Sequence, residues 1–557
     1  MTKSLFTGAE FFDELIRENG YYVDKTEMIY KLVKETTNKV TLFTRPRRFG
    51  KTLMMTMLES FFDCRRDSRD VFESLDVYKN HPEICAEWMN QYPTLFITMK
   101  DVEGLSFEKA YAKLKAVIAE ICTRHSYLEE NQGIYPNDAV VFSKLASKTG
   151  SEEETQNALK TIMRMMHAVH GKPVVLIIDE YDVPLAKAQA NGYYRQMLEV
   201  IRGLMSSALK TNEHLKFAFI TGCLRISKES IFTGVNNFAC YSVTVDDFSP
   251  SFGFTPAEVQ KMLEEFGIPE KYEVIREWYD GYLFGNTEVF CPWDVINYIS
   301  SVLRNRQAKP RNYWANTSSN AILDEFVNHG KIDASDKFET LLNGGSFIQE
   351  ISDEMTYDQL AESEKNFWSV LLMTGYVSKA NADDDYPMVR LRIPNREIAT
   401  LFKEAVVERF NRRLDTSLAD TFINALWNKD PETASAALSD ILWNSISYFD
   451  YSEDYYHGMM NGIFTSRGYN LDSNDEAGLG RLDLRVKDRQ GRRILLMEFK
   501  RVKADLDLSA GCDEAIQQIE ENGYAKLKPE GYRQQIVYGI AFYGKKAMIR
   551  LAEHLTE

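Results

Sequence analysis

The sequence predicts a multidomain α/β protein in which two α/β parts flank a mainly helical middle. The chain has 557 residues, too many for one hydrophobic core. Up to residue 222, short apolar runs alternate with amphipathic stretches, the pattern of a mostly parallel sheet covered by helices on both faces. The same alternation returns after about residue 430. We therefore expect domains at 1–248, 249–430 and 431–557.

The elements of the first α/β part follow from the periodicity of its apolar residues. Each strand is a short apolar run, and each helix repeats apolar residues at intervals of three and four. In chain order the prediction is a strand at 39–43, a helix from the next loop to about 62, a strand at 94–99, helices at about 107–123 and 153–170, a strand at 173–180, a helix at about 193–209 and a strand at 215–222.

The middle part is mainly helical to about residue 360. A helix at about 364–372 then precedes two strand-like runs, 375–380 and 388–393, which are separated by the turn-rich NADDDYP. A helix begins after Pro394. The order helix, hairpin, helix is compatible with a small winged-helix-like domain, and a structural connector is the favoured interpretation of its role.

The last part combines helices with strands around a polar turn. The turn KDRQG joins two runs that alternate in the manner of a hairpin. The predicted elements are helices at about 434–444 and 452–467, strands at 481–486 and 492–500, a helix at 510–523, and strands at 535–543 and 546–551 joined at Gly544.

Composition excludes several classes of protein. The formal net charge of −16 argues against a whole-surface nucleic-acid binder, although a local basic groove remains compatible with it. The sequence has no run of about 18 apolar residues and no secretion signal at its N-terminus, so we expect no membrane association. The seven cysteines are scattered and form no C-x-x-C pair, which fits reduced thiols in the cytoplasm.

A nucleotide site is predicted where the first strand meets its helix. The segment RPRRFGKT at 45–52 matches G-x-x-x-x-G-K-[ST], except that Arg45 replaces the first glycine. Gly50 lets the backbone approach phosphates at a helix N-terminus, Lys51 can reach the β- and γ-phosphates, and the Thr52 hydroxyl can bind Mg²⁺.

The strand at 173–180 supplies the acids that such a site requires. We expect Asp179 to hold Mg²⁺ through water and Glu180 to orient or deprotonate the attacking water. Two acids at a strand end also occur in helix-capping turns, but the G-K-T loop favours the nucleotide interpretation.

Several polar residues around the loop have roles that the sequence leaves open. Arg45, Arg47 and Arg48 add positive charge beside the phosphates, and contacts to nucleic acid or plain solvation fit them equally. Thr221, at the end of the next strand, is placed like a sensor of the γ-phosphate. Arg225 is placed like a finger-type arginine, and ordinary strand-end chemistry is the stronger interpretation of both residues.

A second candidate site lies on the hairpin of the last part. Glu498 and Lys500 are two residues apart, so on a strand they point to the same face. Arg481 and Asp483 share a face of the partner strand, and the turn places Asp483 beside Glu498. Two close carboxylates repel unless a cation separates them, and Mg²⁺ is the natural occupant. Lys500 would position water and stabilise charge on the phosphorane.

The flanking helices strengthen this interpretation over that of a surface hairpin with ordinary ion pairs. Glu453 and His457, spaced i and i+4, can share one helix face toward the metal. For His457, a structural histidine and a ligand are equally compatible with the sequence. The following helix carries Gln517 and Gln518.

With both motifs in hand, the chain resembles the bacterial family that couples an AAA-ATPase-like domain to a C-terminal PD-(D/E)XK nuclease-superfamily domain. The matching segments are YYVDKTEMI (21–29), LFTRPRRFGKTL (42–53), LIIDEYDVPL (176–185), FITGCLRISKESIFTGVNN (219–237), WYDGYLFG (278–285), IPNREI (393–398), GLGRLDLRV (478–486), LLMEFK (495–500) and AIQQIEENGYA (515–525). The resemblance implies that an arginine in place of the first loop glycine is a habit of the family.

The resemblance also implies which residues form the two centres. For the nucleotide it implies Gly50, Lys51, Thr52, Asp179 and Glu180; for the nuclease-type centre it implies Asp483, Glu498, Lys500 and Gln518, and Glu453 matches less tightly.

Two classes of function are compatible with these motifs. The first is an ATPase coupled to a nuclease that uses Mg²⁺, or alternatively Mn²⁺, and acts on nucleic acid, with DNA favoured over RNA. The second is a nucleotide-dependent binding or signalling switch whose nuclease-like fold does not cleave. A pure scaffold is a weaker third idea. The sequence leaves open whether the protein forms a homo-oligomer.

Overall fold

A computed structural model describes residues 3–35, 37–129, 131, 133–226, 231–232, 234–235, 237–314, 335–342, 344–355, 363–382, 384, 386–402, 404, 415–445, 453–477, 480–526 and 531–556. The chain divides into two compact units. Unit 1 comprises Met1–Ser319 and Ile348–Ile398, and unit 2 comprises Asn320–Phe347 and Ala399–Glu557. The predicted division into three domains stays a prediction.

The strands are numbered in chain order. They are β1 Val40–Thr44, β2 Thr94–Thr98, β3 Val174–Asp179, β4 Leu215–Gly222, β5 Arg225–Ile226, β6 Phe238–Tyr241, β7 Tyr282–Phe284, β8 Thr287–Val289, β9 Phe347–Glu350, β10 Glu354–Met355, β11 Ser378–Lys379, β12 Met388–Arg392, β13 Asn470–Ala477, β14 Gly480–Asp488, β15 Arg493–Arg501, β16 Gln534–Tyr543 and β17 Lys546–Leu551.

The α-helices are numbered in the same way. They are α1 Phe12–Arg17, α2 Glu27–Tyr30, α3 Lys51–Phe62, α4 Arg69–Phe72, α5 Asp76–Asn80, α6 Pro82–Trp88, α7 Phe107–Arg124, α8 Pro136–Ala146, α9 Glu152–Gln156, α10 Ala158–His170, α11 Val183–Ala190, α12 Tyr194–Leu209, α13 Pro256–Glu265, α14 Tyr272–Tyr279, α15 Pro292–Arg304, α16 Ser335–Leu342, α17 Glu364–Thr374, α18 Thr416–Trp427, α19 Pro431–Ser445, α20 Glu453–Thr465 and α21 Leu508–Glu521.

The core of unit 1 is a parallel sheet. Within the described residues it contains five strands in the order β2-β3-β4-β1-β6. Every residue of β1 and β3 is buried, as expected for parallel strands covered on both faces. Because β4 alone separates β1 from β3, the loop after β1 and the acid that ends β3 meet at the same sheet edge. The predicted parallel α/β fold is confirmed.

The helix predicted at 153–170 is two helices. A capping box forms at Ser151 and Glu154 at the start of α9, and the helix ends at Gln156. Asn157 then begins α10 with non-helical backbone angles. Asparagine hydrogen-bonds readily to local backbone, so it suits a helix boundary.

The middle of unit 1 contains the expected helix and hairpin. The helix α17 precedes the antiparallel pair of β11 and β12, and β9 adds a strand that the sequence did not predict. Helical backbone follows at 396–402, and the rest of that predicted helix lies outside the described residues. Gly281 allows the backbone at Pro394 to approach closely, since a Cβ at Gly281 would stand 1.9 Å from the Pro394 carbonyl oxygen.

Unit 2 contains a mixed sheet covered by helices. Its described strands run in the order β13-β14-β15-β16-β17, and only the β15–β16 pair is parallel. Side chains of α18 to α20 share one core cluster with the sheet, and side chains of α21 join a second. The sequence did not predict β13. None of the described helices has the length and apolarity needed to span a membrane.

Candidate functional site

The loop of residues 45–50 lies between β1 and α3 and ends at Gly50. The φ angle of Gly50 is +82°, a left-handed conformation that glycine adopts without strain. No atom of the described chain stands within 4 Å of where its Cβ would be. Gly50 stands at the N-cap of α3 and has no side chain to accept the N–H groups of the first turn, which can therefore bind an anion.

Asp179, at the end of β3, is the buried acid next to this loop. Its Oδ2 atom accepts hydrogen bonds from the hydroxyls of Thr52 at 2.8 Å and Thr98 at 3.3 Å. Its Oδ1 atom accepts from the Thr221 hydroxyl at 2.6 Å. A carboxylate surrounded by three hydroxyls is an all-oxygen donor set, which is the chemistry that Mg²⁺ prefers.

Lys51 is folded into its own loop. Its ammonium group donates to the carbonyl oxygens of Arg45 at 3.1 Å and Pro46 at 2.9 Å. The Cys223 sulfur lies 3.9 Å from the same nitrogen. The side chain is buried, and two of the three ammonium N–H groups are used by these carbonyl oxygens, which leaves the third for a phosphate oxygen.

Glu180 follows in a strained backbone position. Its φ is +53°, which a non-glycine residue adopts at some energetic cost. Its N–H donates to the Thr221 hydroxyl at 3.3 Å. Burial raises the pKa of Glu180, and the neighbouring Lys51 opposes that rise. Among the described residues, none donates a hydrogen bond to its carboxylate, which leaves that group available to accept one from water.

Phe49 anchors the loop by packing its side chain into the core of unit 1. The ring is buried, and its centroid lies 5.0 Å from those of Tyr282 and Phe284. Gly253 leaves room for it, because a Cβ there would stand 3.2 Å from the Phe49 ring. The residue next to Gly50 is thus an aromatic anchor in the core of unit 1.

A pair of buried acids, Asp294 and Glu397, is connected to the loop. Burial raises the pKa values of Asp294 and Glu397, and the proximity of Asp294 raises that of Glu397 further. Glu397 accepts the backbone N–H of Trp314 at 2.8 Å, and the Trp314 indole donates to the Arg47 carbonyl at 3.3 Å. The pair is therefore connected to the loop through one tryptophan.

In unit 2, side chains replace the backbone ladder where β14 meets β15. The ladder ends at the Leu484–Met497 pair. Beyond it, the N–H of Asp483 donates to the Glu498 carboxylate at 3.3 Å. The N–H of Phe499 donates to the Asp483 carboxylate at 2.8 Å. Each carboxylate therefore accepts a backbone N–H group of the opposite strand. Burial raises the pKa of Asp483.

Lys500 joins these acids to α21. Its ammonium group donates to the Gln518 side-chain oxygen at 2.5 Å. The helix lies close to the sheet because it packs through glycines: a Cβ on Gly511 would stand 2.6 Å from Val502, and a Cβ on Gly539 would stand 2.4 Å from a carbonyl of α21.

Residues 7–232 match the family model for a predicted AAA-ATPase, and residues 451–551 match that of the PD-(D/E)XK nuclease superfamily. The chain joins an AAA-ATPase-like domain to a PD-(D/E)XK domain. A curated relative is an uncharacterized protein in the vnfD 5' region of Azotobacter chroococcum mcd 1. It is 26% identical over 540 residues, which cover 94% of this chain and 93% of the relative.

Two arginines of the AAA-ATPase-like domain make contacts within the protein. The contacts of Arg45 differ from the roles that the sequence left open, whereas the ion pair of Arg225 is ordinary strand-end chemistry, the interpretation that the sequence favoured. Arg45 is not a phosphate contact: it is fully buried and donates to the carbonyls of Thr44 at 2.9 Å and Tyr241 at 2.7 Å. Burial lowers the pKa of Arg45 to about 9. Arg225 pairs with Glu354 at 3.0 Å, which occupies the guanidinium that we had compared with a finger arginine.

Arg48 is the exposed arginine of the loop. Its backbone φ is +69°, and its guanidinium lies 4.2 Å from the centroid of the Trp293 ring. This cation–π contact holds the side chain beside the loop. A role for Arg48 in phosphate binding stays a prediction.

The sequence did not single out some residues that line the first site. Thr98 ends β2 and donates to Asp179, as described above. Asp182 accepts the N–H groups of Cys223 and Leu224 at 2.9 and 3.0 Å, so it shapes the turn after β4. Two signals in the sequence could have identified them: Thr98 is a polar residue at the end of a strand, and Asp182 is the third acid in the sequence DEYD.

Around the PD-(D/E)XK centre, His457 has a structural position. Its Nε2 atom donates to the Asp483 carbonyl oxygen at 2.6 Å, so that nitrogen orients the strand instead of binding a metal. The side chains of Glu453 and Arg481 lie outside the described residues. Among the described side chains, no cluster of three or more metal-binding residues occurs.

The two glutamines of α21 point to different neighbours. Gln517 is exposed and donates to Glu521 at 2.7 Å, whereas Gln518 contacts Lys500. Tyr524, which we did not predict, is buried nearby, and its pKa is raised by burial and by the charge of Glu498. It stands inside the segment AIQQIEENGYA, which carried the resemblance.

Proposed function

We propose that the protein binds and hydrolyses ATP and couples this to metal-dependent hydrolysis of phosphodiester bonds in nucleic acid. The observation that carries the nuclease proposal is the replacement of ladder hydrogen bonds by the carboxylates of Asp483 and Glu498. Strand pairs rarely sacrifice backbone hydrogen bonds for buried acids, because burying charge is costly without a compensating partner. A divalent cation between the two acids is such a partner.

At the nucleotide site, the chain's own residues would bind and orient. Thr52 and Asp179 would hold Mg²⁺, Lys51 would donate to the phosphates, and Arg48 and Thr221 would contact the γ-phosphate side. Bound Mg²⁺ neutralises the charge that develops on the phosphates. Glu180 would orient the attacking water, and its raised pKa brings its proton affinity closer to that of a general base at neutral pH.

At the nuclease-type site, Asp483 and Glu498 would hold Mg²⁺ or Mn²⁺, with Glu453 as a further ligand. The bound ion polarises the phosphodiester and lowers the pKa of water. Lys500 would orient that water and stabilise negative charge on the phosphorane, and Gln518 would keep the lysine in place.

Cleavage and nucleotide binding are tested on the full chain. The protein is incubated with ATP, Mg²⁺ or Mn²⁺, and single- and double-stranded DNA and RNA. We expect Asp483→Asn and Lys500→Ala to lose about 100-fold or more of the cleavage rate, and Lys51→Ala to lose the thermal stabilisation by ATP. Asp488→Asn is the matched control, because Asp488 lies on β14 but pairs with Arg493 at 2.8 Å. Cleavage that survives Asp483→Asn would refute the assigned centre.

A nucleotide-dependent switch without cleavage is the second candidate. The observation that favours it is Lys51, which donates to two carbonyl oxygens of its own loop, so that a bound phosphate would act directly on the conformation of the loop. Under this alternative, ATP changes the protease sensitivity of the chain, Lys51→Ala abolishes the change, and no nucleic acid is cut under any metal. Cleavage by the wild type would exclude it.

The proposal keeps the finer expectations of the sequence. These are DNA in preference to RNA, a cytoplasmic location, and the domain division 1–248, 249–430 and 431–557. Self-association is tested by measuring the mass of the protein in solution with and without ATP.

A further inference from the structure

An exposed surface of aromatic and basic residues surrounds the turn between β16 and β17. We call it the hairpin-tip surface; it consists of Trp443, Arg501, Lys503, Tyr543 and Lys545. Trp443 is 67% exposed and Tyr543 is 40% exposed. The ammonium group of Lys545 lies 5.1 Å from the centroid of the Trp443 ring.

Exposed apolar groups that lie together, in contrast to single ones, often mark an interaction site. Trp443 lies near the end of α19, and the turn that follows Tyr543 is held by two contacts. The Tyr456 hydroxyl donates to the Gly544 carbonyl at 2.7 Å, and the Tyr456 ring stacks on Phe542 at 4.1 Å. The rings are therefore displayed on an ordered support.

The hairpin-tip surface lies close to the nuclease-type centre along the sheet. In the parallel pair of β15 and β16, Lys500 is opposite Ala541. Tyr543 is two residues further along β16, a distance of about 7 Å at the usual rise per residue. Arg501 and Lys503 follow Lys500 directly in the chain. One or two nucleotides can bridge this distance.

The charge of the surface is complementary to a phosphate backbone. Arg501 and Lys503 are both exposed, and among the described residues neither has an acidic partner. Lys546, by contrast, is paired with Asp505 and is not counted as part of the surface. Exposed cations and exposed rings around one turn form the combination that binds single strands, because phosphates contact the cations and bases stack on the rings.

We propose that the hairpin-tip surface binds unpaired bases of a single-stranded nucleic acid, DNA or RNA, that extends from the nuclease-type centre. Trp443 and Tyr543 stack on the bases, and Arg501, Lys503 and Lys545 contact the phosphates. A duplex cannot use the rings, because its bases already stack on each other. This inference rests on the proposed action on nucleic acid and names the form of the substrate.

Binding is measured separately from cleavage. The full-length protein is titrated into fluorescently labelled oligothymidylate and into a labelled duplex, in EDTA and at low salt, and anisotropy is recorded. We expect Trp443→Ala and Tyr543→Ala each to weaken binding of the single strand about 5- to 100-fold, while Trp443→Phe retains most of the affinity because it keeps a ring. Replacing both Arg501 and Lys503 by glutamine reduces the salt dependence by about two phosphate contacts.

Leu506→Ala is the matched control. Leu506 is 95% exposed near the same turn but has no aromatic face, so its replacement leaves the affinity for the oligonucleotide unchanged. Equal affinities of wild type and Trp443→Ala for the single strand would overturn the inference. A loss with Leu506→Ala as large as that with Trp443→Ala would also overturn it, and would indicate an apolar contact surface for a protein.

The binding experiment can fail or succeed independently of the nuclease proposal. Binding of the single strand that depends on Trp443, without any cleavage under Mg²⁺ or Mn²⁺, supports the hairpin-tip surface and contradicts the nuclease proposal. Cleavage that depends on Asp483, with binding indifferent to Trp443, supports the nuclease proposal and overturns this inference.

Discussion

Replacing Phe49 by alanine tests whether the nucleotide loop depends on the core behind it. Truncating a fully buried phenylalanine costs about 3–5 kcal/mol of folding free energy. Its two aromatic contacts, with Tyr282 and Phe284 at 5.0 Å, contribute about 0.5–1.5 kcal/mol each. These contacts hold the residue beside Gly50. Losing about 1–3 kcal/mol there shifts the loop away from its binding arrangement and weakens ATP binding about 5- to 150-fold.

Phe61→Ala separates loop positioning from general destabilisation. Phe61 is also buried and contacts Phe62 at 5.2 Å and Phe72 at 5.3 Å, but it lies in α3 far along the helix from the loop. Both variants should lower the melting temperature, measured by calorimetry. Only Phe49→Ala should weaken ATP binding, measured by titration calorimetry well below the melting temperature of either variant. Equal ATP affinities of the two variants would refute the reasoning, and Phe49→Leu serves if Phe49→Ala does not fold.

Three further predictions concern other parts of the molecule. Gly281→Ala should destabilise unit 1 by about 3 kcal/mol or more, because a positive φ and a backbone clash with Pro394 both oppose the new Cβ. Gly267→Ala, at φ +67° with open space around it, should cost only about 1 kcal/mol; equal melting temperatures would contradict the clash. The raised pKa of Glu397 lets the folded wild type keep a proton that the unfolded chain releases above about pH 4.3, so the folding stability of the wild type should decline as pH rises. Glu397→Gln removes this titrating group and should make the decline smaller. Melting temperatures at pH 6 and pH 8 test this, and parallel declines in wild type and variant would disprove it. Gln518→Leu should slow cleavage about 10-fold or more by freeing the lysine that it holds without altering the thermal stabilisation by ATP; an unchanged cleavage rate would remove the glutamine from the proposed centre.

Local periodicity was enough to predict four of the five strands of the unit 1 sheet and four of the five strands of the unit 2 sheet. The strand predicted at 215–222 has those bounds in β4, and the helix after Gly50 ends at Phe62. Strand pairing was harder, because partners in a sheet are distant in the sequence. The sequence did not reveal β9, β13 or the parallel pairing of β15 with β16, since each depends on which segment the strand meets after folding.

In the two candidate sites, too, some contacts could be predicted from local sequence and others could not. Strand alternation and the KDRQG turn placed Asp483 next to Glu498, and the strand–loop–helix pattern placed Thr52 near the end of β3. The bond between Lys500 and Gln518 required in addition that α21 lie close to the sheet. The roles of these residues in catalysis stay predictions.

By itself, the sequence determined where backbone and side chains of near neighbours lie: the phosphate-type loop before α3, the acids that end β3, and the acid–lysine hairpin of unit 2. Only the tertiary structure decided what Arg45 and Phe49 contact. Arg45 lies 5.0 and 5.2 Å from the rings of Phe252 and Phe284, residues more than 200 positions away. Local periodicity carries no information about such contacts, because they are created when distant segments bury apolar surface together.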